Sequence, residues 1–357
     1  MNGSDHEVGD ELEEWSEDYI DQGALSPTMR ADVARRLESL VFAGPQEVRR
    51  LDQVLAEHHV DLSRSLLQRW ISEGHVSIDG KAALKPSQPV RAGQTVTITV
   101  PEPEPAQAWM PEPVGLDIVF EDADIIVVNK PAGLVVHPAA GHAGGTLANG
   151  LLHHSPETVR VPRAGIVHRL DRETSGLMVA AKTIPAQISL VRQLQARTVK
   201  RTYLALVWGR PKAGMVDTWF GRDPRDRQKM AVLPQGRGKQ AVTHIEILKT
   251  GALFGQEVSL IRCYLETGRT HQIRVHLEHL GAPIVGDRTY KRFSPHLNKI
   301  NHGKKQIEDL IPGQALHAQK LQFLHPMGEK PMSFSCDPPG GFFALLQLAD
   351  ISRASLA

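Results

Sequence analysis

The chain has 357 residues, of which 41% are apolar and 23% charged, with only two cysteines and a formal net charge of +1. This length predicts two domains with tails rather than one. Two cysteines exclude a disulfide scaffold or a cysteine-built zinc site, and no apolar run is long enough to cross a bilayer. The near-neutral charge hides an asymmetry: Asp5, Glu7, Asp10, Glu11, Glu13, Glu14, Glu17, Asp18 and Asp21 lie in a start without Lys or Arg, leaving about +10 on the rest. A mildly basic body is compatible with a polyanionic partner.

Residues 1–48 read as an acidic, disordered extension, with a helix over Ser26–Ala43 as an option because Pro27 suits a first helical position. The start lacks the apolar run of a secretory signal, and a cytoplasmic protein is expected.

Residues 49–100 predict a small domain of two helices and a small sheet. Leu51, Val54 and Leu55 have helical spacing, and Ser63 reads as the cap of a helix whose Leu66, Leu67, Trp70 and Ile71 face inward before Gly74 ends it. Val76 and Ile78 alternate into Asp79-Gly80, a type I′ hairpin signal, and Val96, Ile98 and Val100 form a last strand. The prolines of 101–113 predict an extended linker.

From 114 to 350, short strands come in pairs without the strand–helix alternation of a doubly wound sheet. The expected class is therefore α+β, with a largely antiparallel sheet flanked by helices. Strands are predicted over 116–120, 125–128, 201–208 and 257–265, helices over Pro185–Arg197 and Thr270–Leu280, and a basic loop over 222–239.

Four charged segments interrupt these apolar runs. In His168-Arg169-Leu170-Asp171-Arg172-Glu173-Thr174-Ser175-Gly176, an aspartate stands where burial is expensive unless it is paired; the alternative to a site is a salt bridge that fixes the fold. Arg269, at a predicted strand–helix junction in Leu265-Glu266-Thr267-Gly268-Arg269-Thr270-His271-Gln272-Ile273-Arg274-Val275-His276, could pair with Asp171, or stand exposed beside a Thr270 cap. Tyr203, in Lys200-Arg201-Thr202-Tyr203-Leu204-Ala205, could stack on a planar substrate or simply fill the core. Asn129-Lys130-Pro131-Ala132-Gly133 leaves a strand into a rigid turn that could line a cleft. No Walker loop, dinucleotide fingerprint, His-Glu-x-x-His or Gly-x-Ser-x-Gly elbow is present. His271, His276 and His279 share a predicted helix with no carboxylate or thiol ligand set beside them, so no metal is expected.

The segments around Asp171, Arg269 and Tyr203, with Ala315-Leu316-His317-Ala318 and His325-Pro326, resemble the RluA family of pseudouridine synthases, and the unit from 50 to about 100 is similar to the S4 RNA-binding module. The resemblance runs over roughly 50–345. It implies a pseudouridine synthase fold and cofactor-free isomerisation of uridine in RNA to pseudouridine. Asp171 falls on the family's essential aspartate, Arg269 on its partner arginine, Tyr203 on the stacking tyrosine, and Arg169 on the residue that fills the gap left by the flipped base. The reaction needs such a set, because a stacked nucleotide hides both C1′ and the base ring. Tyr203 would offer a ring face and assist proton removal at C5. Arg64, Arg69, Lys81 and Lys85 of the S4-like unit would add phosphate contacts.

The implied partner is large-subunit ribosomal RNA, at the stem–loop called helix 69, bound by a monomer without a membrane. The alternatives are the same reaction at another rRNA or tRNA uridine, a non-catalytic S4-type RNA-binding protein, or a hydrolase using Asp171 with Glu173. Glu173 and Ser175 depart from the Asp and Thr of many relatives, and the basic stretch 291–305 reads as an insertion.

Overall fold

The computed structural model describes residues 40–41, 48–58, 64–99, 109–138, 142–226, 228–290 and 307–356. The acidic start, Ser63, nearly all of the optional helix over 26–43, most of the linker and the 291–305 stretch lie outside them; Leu40–Val41, inside the expected disordered extension, is a short strand instead. The chain divides into two units, one holding the residues up to 108 with 159–163, the other holding 109–158 and 164–357.

In the first unit, β1 (Leu40–Val41), β2 (Arg49–Arg50), α1 (Leu51–His58), α2 (Arg64–Ser72), β3 (Val76–Ile78), β4 (Lys81–Ala82), β5 (Pro89–Val90) and β6 (Thr95–Ile98) follow in order. The helices bury Leu51, Leu55, Leu67, Trp70 and Ile71 against Val76, Val96 and Ile98 of the sheet β1-β6-β3-β4. Asp79 and Gly80 both have positive φ, 50° and 76°, as a type I′ turn requires. The Asp79 carboxylate also accepts the Thr95 amide at 2.8 Å, tying the turn to β6. Asp52 is buried but answered, since Arg50 and Gln68 donate to it at 3.0 and 2.8 Å.

The second unit is built on a ten-stranded sheet. Its elements are β7 (Ile118–Glu121), β8 (Ile125–Lys130), α3 (Leu147–His154), β9 (Ser175–Ala181), α4 (Ile184–Gln195), β10 (Lys200–Trp208), β11 (Gly214–Arg222), β12 (Met230–Leu233), β13 (Lys239–Leu253), β14 (Gln256–Leu265), α5 (Gln272–His279), β15 (Leu316–Leu324), β16 (Pro331–Ser335) and α6 (Gly340–Leu348). The order is β12-β11-β13-β14-β10-β15-β9-β8-β7, with β16 added to the far part of β15. Both faces of β9 are buried, one against α4 and the other in the core shared with α3, α5 and α6, to which β10 also contributes Tyr203–Trp208. Residues 222–239 are less of a loop than expected: β11 and β12 pair from Trp219–Leu233 to Arg222–Met230.

One joint of this sheet bears directly on the site. β9 and β15 run parallel and pair only at His317–Ser175 and Ala318–Gly176. Gly176 has φ +114°, and a Cβ there would lie 2.3 Å from the Ala318 carbonyl oxygen, so the close approach requires glycine. Ser175 Oγ lies 2.9 Å from His317 Nδ1, whose Nε2 lies 3.1 Å from the Cys336 carbonyl oxygen. The motif Ala-Leu-His-Ala thus clamps the strand that begins just after Asp171.

Three histidines inside this unit are held neutral. Burial pushes His168 down to about 3 and His276 and His317 down to about 4. His168 Nε2 accepts the Val179 amide at 3.1 Å, which requires an unprotonated nitrogen. The unfolded chain takes up these protons near the ordinary 6.5, whereas the folded chain waits until about 3–4. Below 6.5 the unfolded state therefore binds more protons, and stability falls as pH drops through this window. The urea midpoint should fall between pH 7 and pH 5, and His317→Gln should shrink that difference. An equal difference in both proteins would contradict the buried-histidine origin.

Candidate active site

Asp171 lies on a turn, not in a strand. The Thr174 amide donates to the Asp171 carbonyl at 3.0 Å, and β9 starts only at Ser175. Asp171 and Glu173, the pair a hydrolase would use, therefore share no strand face. The turn places the Asp171 side chain at the end of a clamped strand, with 17% of it exposed.

The second charged segment supplies its partner, though not the expected arginine. Thr267 Oγ donates to Gln272 Oε1 at 2.7 Å and accepts the Val242 amide at 2.9 Å. Gln272 Oε1 also accepts the Arg269 amide, and its Nε2 donates to the Val242 carbonyl at 3.0 Å and to Thr243 Oγ at 2.9 Å. These bonds fasten the Thr-Gly-Arg turn to β13 and start α5 at Gln272, after His271 takes φ +61°. Arg269 is buried in this turn, its Nε 3.4 Å from the Gln240 carbonyl. A Cβ at Gly268 would lie 2.5 Å from Arg201 Nη1, so a side chain there would displace that guanidinium.

The helix then presents Arg274. Its Nη1 donates to Asp171 Oδ2 at 3.0 Å, while Nε and Nη2 donate to Asp287 Oδ2 and Oδ1 at 2.7 and 3.0 Å. A fork–fork bond of this kind fixes the guanidinium plane. Asp287 is itself fixed, since Oδ1 accepts the Thr289 and Tyr290 amides at 2.8 and 3.0 Å. The Arg274 guanidinium carbon also sits 4.9 Å from the Tyr290 ring centre. The two carboxylates outweigh the cost of burial and hold Arg274 above its ordinary range, so it stays charged. The pairing assigned to Arg269 thus belongs to Arg274, in the first turn of α5.

Tyr203 is buried in β10, at a shift in register between Thr202 and Tyr203 against β15, where the strand re-aims its side chains. Burial pushes its phenol up, Arg201 opposes that, and Asp171 adds to it, which places the Asp171 charge within electrostatic reach of the ring. At neutral pH the phenol therefore stays protonated, so Tyr203 offers a ring face more readily than a base. Arg169 is exposed two residues before Asp171.

Sequence reasoning gave no individual role to Lys130, His271 or Arg274. Lys130, read as part of a rigid turn, is buried and donates to the carbonyls of Pro131, Leu134 and Arg172 at 2.8, 2.9 and 3.0 Å. It thereby locks the Lys-Pro turn onto the Asp171 turn. Burial lowers it to about 8, opposed by Asp171 and Glu173. His271 Nε2 lies 3.8 Å from Asp171 Oδ1, and its Nδ1 lies 2.8 Å from the Tyr290 hydroxyl. A signal existed for Arg274: a charge between Ile273 and Val275 is as incongruous as Asp171 among its own neighbours. His276 is no ligand, for its ring nitrogens lie 2.9 Å from Thr243 and Thr218 hydroxyls. In the first unit, Arg69 pairs with Glu73 at 2.9 Å and Lys81 and Lys85 are exposed, while the Arg64 side chain lies outside the described part of the structure.

Comparison with known proteins supplies the class. The RNA pseudouridylate synthase family model matches residues 124–279, and the S4 domain model matches 49–96. A ribosomal large subunit pseudouridine synthase D of Neisseria meningitidis serogroup B is 51% identical over 300 residues, covering 84% of this chain and 78% of that protein. Proteins of the same name from Nitrosomonas europaea and Pseudomonas aeruginosa are 46% and 45% identical, each across 84% of this chain and covering 83% and 91% of their own lengths. The solved structure of human RNA pseudouridylate synthase domain containing 4 superposes with a TM-score of 0.50 at 25% identity, covering 65% of this chain and 92% of that one.

The chain belongs to the RNA pseudouridylate synthase family. It is an RNA-binding enzyme that isomerises uridine to pseudouridine, with an S4 domain ahead of a mixed α+β catalytic domain. Among the described residues no helix is long and apolar enough to cross a membrane.

The ion pair makes a comparative prediction. Arg274→Gln should lower the single-turnover rate of pseudouridine formation about a hundredfold, the scale of removing one preorganised donor. Arg269→Gln should act mainly on stability, read as a lower melting temperature with a smaller loss of rate. The reverse ranking of the two rates would restore Arg269 as the partner.

Proposed function

We propose that this enzyme modifies uridines of large-subunit ribosomal RNA in the cytoplasm, with Asp171 acting on the extruded nucleotide. The observation that carries the assignment of Asp171 is its divided carboxylate. Arg274 holds Oδ2 at 3.0 Å, while Oδ1 makes no hydrogen bond among the described residues and has the His271 imidazole 3.8 Å away. An acid held by one oxygen and open at the other is ready to meet a substrate atom in a fixed direction.

A uridine within a stem or stacked loop must leave the stack before C1′ and the ring can be reached. Arg169, exposed beside Asp171, enters the gap and hydrogen-bonds what remains there. Tyr203 supplies the face on which the uracil rests while its glycosidic bond breaks and it turns to bring C5 to C1′. Arg274 orients Asp171, and Lys130 holds the turn on which it sits. Arg269 keeps its place as part of the turn that aims α5. Arg69, Lys81 and Lys85, with Arg64, give the S4 domain phosphate contacts that position RNA without selecting its sequence. The ribosomal target rests on the relatives named for the large subunit, and the stem–loop called helix 69 is the specific site proposed.

The test uses the full chain and RNA transcripts labelled with tritium at uridine C5. Label should pass to water from a large-subunit fragment carrying that stem–loop, with the RNA chain intact, and not from a fragment lacking it. Asp171→Asn should abolish release while RNA binding is retained. Release by the variant at the rate of the unaltered enzyme would reject Asp171, and equal release from both fragments would reject the site.

A further inference from the structure

All routes to pseudouridine share one late step. When C5 has joined C1′, C5 is tetrahedral and still carries its hydrogen, and C6 is doubly bonded to N1. The C5–H bond must then break. Its electron pair forms C5=C6, the C6=N1 pair moves to N1, and N1 takes up a proton. Some group must accept the proton from C5. Tyr203 is poorly suited, since burial keeps its phenol protonated at neutral pH. Lys130 is engaged by three carbonyls and Arg274 by two carboxylates.

We infer that His271 is a further catalytic residue, whose Nε2 accepts the C5 proton and returns a proton to N1. The inference rests on the reading of Asp171 given above. Its geometry is specific. His271 Nε2 is 3.8 Å from Asp171 Oδ1, the oxygen left open by Arg274, so a base seated against Asp171 lies within reach of the imidazole. The other ring nitrogen is 2.8 Å from the Tyr290 hydroxyl, and that hydroxyl accepts the Met230 amide at 3.0 Å. The second lone pair of the hydroxyl can accept Nδ1–H, the tautomer that leaves Nε2 unprotonated. The Tyr290 ring also packs edge-on to the imidazole at 5.5 Å.

The backbone carries the same message. His271 holds φ +61°, a left-handed conformation that a non-glycine residue adopts at a cost. Cost of this kind persists where the surroundings enforce it and clusters at functional positions. Here the Gln272 bonds fix the preceding turn, so the strain serves to aim the imidazole at Asp171.

The groups facing His271 are Asp171 and Arg169 from the loop before β9, Arg274 from α5, and Asp287 from the segment after it, with Tyr290 at its edge. Burial lowers its pKa first, Arg274 and Arg169 add to that, and Asp171 and Asp287 oppose it. The imidazole is therefore neutral at pH 7. The C5 hydrogen lies next to the C4 carbonyl and its loss restores a conjugated ring, so a weak base suffices.

The experiment follows single-turnover formation of pseudouridine in a large-subunit rRNA transcript carrying hydrogen or deuterium at uridine C5. His271→Gln should slow the reaction about a hundredfold, the lower range for a lost general base. It should also develop a primary isotope effect larger than that of the unaltered enzyme, and lose the acidic limb of the pH–rate profile. His271→Asn, whose backbone tolerates the left-handed region, serves if the Gln variant fails to fold. Tyr290→Phe leaves the imidazole in place and should shift that acidic limb. An isotope effect and an acidic limb unchanged in the His271 variant, whatever its rate, overturn the inference, as does an unmoved limb in Tyr290→Phe. Either failure leaves the dependence on Asp171 intact, so it is distinct from failure of the proposed function.

Discussion

The site depends on one guanidinium shared between two carboxylates. Arg274 is bound bidentately by Asp287 and reaches Asp171 with its remaining nitrogen. Burying three charges is tolerable only because each is answered, and Asp287 is further answered by two backbone amides. The geometry is transmitted in order: the amides fix Asp287, Asp287 fixes the plane of Arg274, and Arg274 fixes one oxygen of Asp171. The other oxygen of Asp171 lies 3.8 Å from the imidazole of His271, and its charge is felt by the Tyr203 phenol.

The scaffold exists to hold two independent segments against each other. Asp171 comes from the turn before β9, and its partner from α5 about a hundred residues later. β9 is pinned by the two-residue parallel joint to β15, by the Ser175–His317 contact and by the close approach that Gly176 permits. α5 is pinned by Gln272, which gathers Thr267, the Arg269 amide, Val242 and Thr243 around one side-chain amide. Lys130 adds a third fastening, since its ammonium joins the end of β8 to the Asp171 turn through carbonyl groups alone. These motif residues are thus explained by what they hold.

Much of this was legible in the sequence, for physical reasons that can be named. Asp171 stood out because an acid between Leu170 and the apolar run from Leu177 must have a compensating partner. Asp79-Gly80 announced its turn because few other pairs accept two positive φ angles. The large mixed sheet followed from paired strands without alternating helices. The partner of Asp171 did not follow, because a long-range contact depends on where a helix begins. Thr270 reads as a helix start, whereas the Gln272 side chain and the φ of His271 delay it, swinging Arg274 toward Asp171 and burying Arg269 near Gln240. Lys130 was hidden because a Lys-Pro pair at a strand end suggests only a turn, and its acceptors are carbonyls that carry no residue-type signal. The expected basic loop became a hairpin because Met230–Leu233 found a partner in β11, a pairing fixed by the sheet and not by local composition.

The most direct measurement is a double-mutant cycle on Arg274→Lys and Asp287→Asn, read in single-turnover rates of pseudouridine formation. If Asp287 acts only by fixing Arg274, the two changes interrupt one chain of contacts. The double variant should then be no slower than the slower single variant, a strongly non-additive result. Losses that simply multiply would mean that Asp287 and Arg274 act separately, and the ordered ion-pair relay to Asp171 would be wrong.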